Sequence, residues 1–158
     1  MSTLKTIVRY LTKRTPEKIL PIDIKIMYFF RDNGMKYMSK YWKNKIYYKY
    51  NVDIGVGSQI EEGTRFTHPI GIVIGDDAIV RKGAIILQNV TIGGSFNSGS
   101  PQVIGSGAIL CAGSKVLGKV EVGANCIIGA NAVITKNVSD DMVVSGYNKV
   151  IGRVQDYA

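Results

Sequence analysis

The sequence predicts a mainly β protein: a parallel β-helix of six-residue repeats, preceded by short N-terminal α-helices. Three observations carry this expectation. Apolar residues recur every six positions from Ile54 onward, and 17 of the 18 glycines lie after residue 52, whereas the first 52 residues hold 10 of the 14 aromatics. Charge divides at the same place: residues 1–52 carry 12 Lys and Arg against 3 Asp and Glu, and residues 53–158 carry 8 against 9. The chain changes character near Asn51, giving a basic, aromatic-rich helical segment, 1–52, and a β-helix domain, 53–158.

In the first segment Thr3–Thr12 is a short candidate helix. Thr15, Pro16 and Glu17 resemble a capped helix start, Asp23–Asn33 reads as helical, and Gly34 breaks it before a further helix, Met35–Tyr50. In that last helix Tyr37, Tyr41 and Ile46 fall near one face, with Lys36, Lys40 and Lys43 turned away. The expected role of this aromatic stripe is to cap the open end of the β-helix while the lysines stay solvated. A second role for so basic a segment is peripheral contact with an anionic glycan or the inner membrane surface. Nucleic acid is not expected as a partner, because no binding motif accompanies the charge.

In the second segment the anchors are Ile54, Ile60 and Phe66, then, after a slip of two residues, Ile74, Val80, Ile86 and Ile92; the frame resumes at Ile104 and runs through Leu110, Val116, Val122, Ile128 and Ile134. Four residues after most anchors stands a small or slim side chain, such as Ser58, Ala78, Ala84, Ala108, Cys126 or Ala132. Neither a helical nor a hairpin period gives this pattern. Very short strands, each burying one branched residue, joined by tight corners at Gly, Asn or Asp, do. Stacked coils then satisfy the backbone by hydrogen bonds between successive turns, whatever the side chains.

Composition sets limits on function. A chain of 158 residues makes one ordinary domain. No apolar run approaches the roughly 18–20 residues that cross a bilayer, and the first residues lack a secretory pattern, so a cytoplasmic protein is expected. Cys111 and Cys126 form no CxxC pair and fall within the repeat frame, which suits packing rather than nucleophilic chemistry. The single histidine, His68, leaves too few imidazoles for a multi-histidine zinc site, and no metal is expected.

Two breaks in the repeat mark candidate sites. The slip between Phe66 and Ile74 makes "THPIG" bulge from the coil, and His68 sits in that bulge. Pro69 biases His68 toward an extended backbone, and a rigid, outward imidazole suits a general base. The second break, Ser95–Val103, replaces one repeat by a polar Gly/Ser loop placed to overhang a neighbouring site.

The stretch from Asp53 to Gly94, ending in "THPIGIVIGDDAIVRKGAIILQNVTIGG", resembles the hexapeptide-repeat acyltransferases, in particular their serine O-acetyltransferase branch, where "GIVIG" and "ILQ-VT-GG" occur in the same order and spacing. The resemblance covers about residues 51–153. It implies a left-handed parallel β-helix, a homotrimer with active sites between subunits, and acetyl-CoA as donor. It also implies that His68 takes the proton of the acceptor hydroxyl, assisted by an aspartate 15 residues earlier, Asp53. Main-chain amides near Gly93 and Gly94 are candidates for stabilising the oxyanion, since adjacent glycines admit close approach. Small residues on later coils, Ala112, Gly113, Gly129 and Ala130, would admit a pantetheine arm. "SGYNKVIGR" resembles the family's closing Gly-x-Pro-Ala-Lys motif, which makes Lys149 or Arg153 a candidate for the CoA phosphates.

The acceptor side departs from the serine branch. Thr67 stands where an acidic residue usually precedes the histidine, and Ser98, Gly99 and Ser100 stand where an Asp-Arg-His run precedes the proline. Thr67, Ser98 and Ser100 are therefore candidate acceptor contacts without the charges that would bind an amino acid. An O-acetyltransferase acting on a sugar or polysaccharide hydroxyl is the main expectation. A serine O-acetyltransferase is the enzymatic alternative, and a β-helix scaffold binding a polyanion through its basic helices is the noncatalytic one.

Overall fold

The computed structural model describes residues 15–94, 101–153 and 155. The expected helix Thr3–Thr12 and the candidate contacts Ser98 and Ser100 lie outside the described residues. Two helices, α1 (Pro16–Asp32) and α2 (Lys36–Tyr50), precede fifteen short strands, β1 (Asp53–Ile54) to β15 (Lys149–Arg153). The strands stack into three sheets: β1, β4 (Val73–Ile74), β7 (Thr91–Gly93), β10 (Lys115–Leu117) and β13 (Val133–Ile134); then β2 (Gln59–Ile60), β5 (Ile79–Val80), β8 (Val103–Ile104) and β11 (Glu121–Val122); then β3 (Arg65–Phe66), β6 (Ile85–Ile86), β9 (Ile109–Leu110), β12 (Ile127–Ile128), β14 (Met142–Ser145) and β15. All pairings are parallel except β14 (Met142–Ser145) with β15. This is a parallel β-solenoid of about four turns.

The register measures the coils. Asp53 pairs with Val73, Val73 with Thr91, Thr91 with Lys115, and Lys115 with Val133, so successive coils take 20, 18, 24 and 18 residues. The two extra residues of the first coil fall at "THPIG", and the six of the third fall within the sequence break Ser95–Val103. The anchors point inward: Ile54, Phe66, Ile74, Val80, Ile86, Ile92, Ile104, Leu110 and Val116 are all at most 2% exposed, with Ala78, Ala84 and Ala108 fully buried between them, and Ile60 alone among the predicted anchors is only half-buried. The core is one cluster into which the helices insert Leu20, Ile24, Met27, Ile46 and Tyr50.

The edge joining the third sheet to the first is a column of residues in left-handed conformation: Asn51, Gly71, Asn89, Gly113 and Asn131. Each hydrogen-bonds through the backbone to the turn before or after it. Only glycine and asparagine enter this region cheaply. At Gly113 space also decides, because a Cβ there would lie 2.1 Å from Asn131 Oδ1.

The helical segment departs from expectation in three ways. First, α1 is one continuous helix through Pro21, held by a buried stripe of Leu20, Asp23, Ile24 and Met27; packing of that stripe outweighs the single hydrogen bond the proline removes. Second, the buried stripe of α2 is Ser39, Ile46 and Tyr50, with Trp42 half-buried. Tyr37 and Tyr41, expected on the capping face, are 92% and 60% exposed. With aromatics on nearly every side of α2, the helical period alone did not choose the face. Third, Lys43, expected to be solvated, lies 3.1 Å from Asp53 Oδ1.

The two helices are joined by a buried carboxylate. Tyr50 donates a 2.6 Å hydrogen bond to Asp23 Oδ2, and Lys49 Nζ donates to the same oxygen at 3.0 Å. Replacing Asp23 by alanine leaves the Tyr50 hydroxyl buried without its acceptor. A loss of about 1–3 kcal/mol is expected, read as a lowered urea midpoint.

Candidate functional site

His68 closes the third face of the first coil, where the chain turns toward β4 (Val73–Ile74). Its backbone is not extended, as Pro69 led us to expect, but left-handed, with φ 51°. The turn compensates locally: the His68 carbonyl accepts from the Ile70 amide at 2.7 Å, and Pro69 is buried beneath it. The His68 amide donates to Glu17 Oε1 at 3.2 Å. The imidazole is 70% exposed, and its Nδ1 lies 3.6 Å from the same Glu17 oxygen. No hydrogen bond among the described residues takes Nε2.

A cleft of about 480 Å3 opens between this bulge and the helices, lined by Thr15, Pro16, Glu17, Lys49, Tyr50, His68, Pro69 and Ile70. Tyr50 and Asp23 beside Lys49 hold its ammonium above the ordinary lysine range. Burial, and then the Asp23 carboxylate, push the Tyr50 phenol up as well. The cleft wall is thus an ammonium ion and a neutral phenol at physiological pH.

Asp53 opens β1 on the first sheet. No ion pair joins it to His68 in the single chain; its neighbour is Lys43 at 3.1 Å, off the direction of a hydrogen bond, so the buried Oδ1 accepts none. Thr67 is half-buried, with its amide donating to the Ile86 carbonyl in the coil ladder.

The other candidates sort by edge. Ala112, Gly113, Gly129 and Ala130 lie on the same edge as His68, two and three coils further on: the Gly113 amide reaches Gln88, the Asn131 amide reaches Ala112, and the Asn89 amide reaches Ile70. Lys149 joins them, pairing with Ser145, which packs over Gly129. Arg153 is separated from Lys149 by the length of β15 and pairs with Met142. Gly93 and Gly94 sit at the opposite end of the first sheet, at its junction with the second, where a φ of 87° at Gly94 favours glycine. One copy therefore keeps His68 and the glycine pair apart.

Burial raises the pKa of both Cys111 and Cys126, keeping them as thiols, and Cys126 Sγ bonds to the Ser139 carbonyl. Among the described residues there is no cluster of three His, Cys, Asp or Glu suited to a metal, and no helix is long and apolar enough to cross a membrane. Sequence reasoning missed Glu17, Lys49 and Tyr50 as site residues. The Thr-Pro-Glu helix start was visible, but not the contact it makes 51 residues away.

Comparison with known proteins agrees with the architecture. Residues 103–136 match the family described as bacterial transferase hexapeptide (six repeats). A serine acetyltransferase of Haemophilus influenzae is 32% identical over 71 residues, 45% of this chain and 27% of that protein. A putative serine acetyltransferase of Schizosaccharomyces pombe is 42% identical over 99 residues, 61% of this chain and 37% of that one. A solved serine acetyltransferase in complex with CoA superposes with a TM-score of 0.76 at 30% identity, over 82% of this chain and 54% of that one. This chain thus spans about a third of the curated relatives and about half of the solved structure. These relatives are named for serine, not for a sugar. By repeat and register the coil of this chain is a parallel β-solenoid of six-residue repeats, and its residues 103–136 are similar to the bacterial transferase hexapeptide family.

Proposed function

We propose that the chain is an acetyl-CoA-dependent O-acetyltransferase, working as a homotrimer with sites between neighbouring copies. The observation that carries this reading is the lone histidine, exposed on the bulge of the first coil, lining a cleft, with a carboxylate 3.6 Å from Nδ1. In the proposed reaction Nε2 takes the proton of the acceptor hydroxyl as its oxygen bonds to the thioester carbonyl carbon. The tetrahedral oxyanion accepts from main-chain amides near Gly93 and Gly94 on a neighbouring copy. The C–S bond then breaks, the thiolate leaves, and the imidazolium returns the proton, giving an acetyl ester and the CoA thiol. Small residues along the His68 edge support a pantetheine arm laid there, and Lys149 at the end of that edge offers a cation for a CoA phosphate.

Free serine is the acceptor that the relatives favour. A sugar or polysaccharide hydroxyl is the second reading, favoured by Thr67 and by Ser98-Gly99-Ser100 standing where the serine branch carries charge. Thiol release from acetyl-CoA, followed with L-serine and with a panel of sugars, separates the two. Saturable release with serine is expected; release with sugars alone reverses the order. A folded protein that gives no calorimetric heat with acetyl-CoA removes both readings and leaves a scaffold.

A further inference from the structure

We propose that Glu17, at the start of α1, is the carboxylate that orients and electrostatically supports the His68 imidazole, and that it acts as a positioning residue for the reaction above. This rests on His68 being the base. Glu17 Oε1 stands where both parts of His68 meet it, the backbone amide at 3.2 Å and Nδ1 at 3.6 Å. Asp53, the carboxylate implied by the family resemblance, makes no ion pair with His68 and faces Lys43 instead.

The geometry divides the work of the two ring nitrogens. At 3.6 Å the Nδ1 contact is electrostatic rather than a full hydrogen bond. A carboxylate on that side favours the tautomer with its proton on Nδ1, leaves Nε2 as the acceptor, and stabilises the imidazolium once Nε2 has taken a proton. The amide contact fixes the left-handed turn from which the ring projects. Glu17 itself is positioned by Pro16 at the first helical position and favoured by the helix N-terminus. The proton acceptor thus belongs to the coil and its orienting charge to the helical segment, so the segment contributes to chemistry as well as to covering the core.

Glu17→Gln separates the two contacts, because the amide oxygen still accepts from the His68 backbone while the charge is gone. His68 is the chain's single histidine, so its ring nitrogens give unambiguous 15N signals. In the full-length protein Glu17→Gln is expected to move the neutral imidazole away from the Nδ1-protonated tautomer. It is also expected to lower kcat about tenfold, a modest factor because the pair is partly solvated, without changing the KM for acetyl-CoA or the melting temperature. A tautomer unchanged in Glu17→Gln but altered in Asp53→Asn overturns the proposal in favour of Asp53. A Glu17-dependent tautomer in a protein that transfers acetyl to no acceptor preserves the pairing and overturns its catalytic use, so failure of the contact and failure of the enzymatic reading are distinguishable.

Discussion

Replacing His68 by alanine is expected to lower acetyl transfer about 100-fold or more while leaving acetyl-CoA affinity nearly unchanged. The expectation follows from where the side chain is. It projects from a bulge outside the 18-residue frame and is 70% exposed, so its removal opens no cavity in the core. The small residues assigned to the donor lie on coils two and three turns away, and their backbone contacts do not pass through the imidazole. On the proposed mechanism the variant loses the acceptor for the hydroxyl proton, a contribution made only in the transition state. It should therefore appear in kcat, with calorimetric binding of acetyl-CoA close to that of the unsubstituted protein. Parallel loss of binding and turnover would instead make the bulge a structural element of the donor site, and the general-base reading would fall.

The coil was legible because its period has one physical source. Each strand must bury one branched side chain and each corner must turn within four residues, so Ile86, Leu110 and Ile128 appear in register in the sequence and stack on one another in the third sheet. The two breaks were legible for the same reason, as 20- and 24-residue coils against an 18-residue norm. Contacts between the helical segment and the coil were not. Glu17 meets His68 and Lys43 meets Asp53 across the change in architecture, and no periodicity links those positions. The backbone of His68 escaped too. The bias imposed by the following proline is a local preference, and the turn that closes through Ile70 overrides it. The tyrosines of α2 show the limit of pattern reading, since Tyr37, Tyr41, Tyr47, Tyr48 and Tyr50 spread around the helix and only Tyr50 is buried.

The largest loss of stability is expected from Ile92→Ala. Ile92 is fully buried in β7 (Thr91–Gly93), the middle strand of the five-stranded first sheet, in register with Ile74 on one side and Val116 on the other. Removing its side chain forfeits the transfer free energy of three carbons and leaves a void between stacked neighbours. Those neighbours cannot close in along the coil axis, because backbone hydrogen bonds on both sides, from Gly75 to the Ile92 carbonyl and from Thr91 to Ser114, fix the spacing of the coils at roughly 4.8 Å. A site that cannot collapse belongs in the upper part of the about 2–5 kcal/mol range for such truncations, and Ile92→Val should cost only about 0.5–1.5 kcal/mol. Urea denaturation at a fixed protomer concentration measures both, the concentration being held because assembly into the proposed trimer would contribute to the midpoint. If Ile92→Ala unfolds within about 0.5 kcal/mol of the unsubstituted chain, the column of buried anchors is not what holds the coils together. The ladder of backbone hydrogen bonds would then have to carry the solenoid alone.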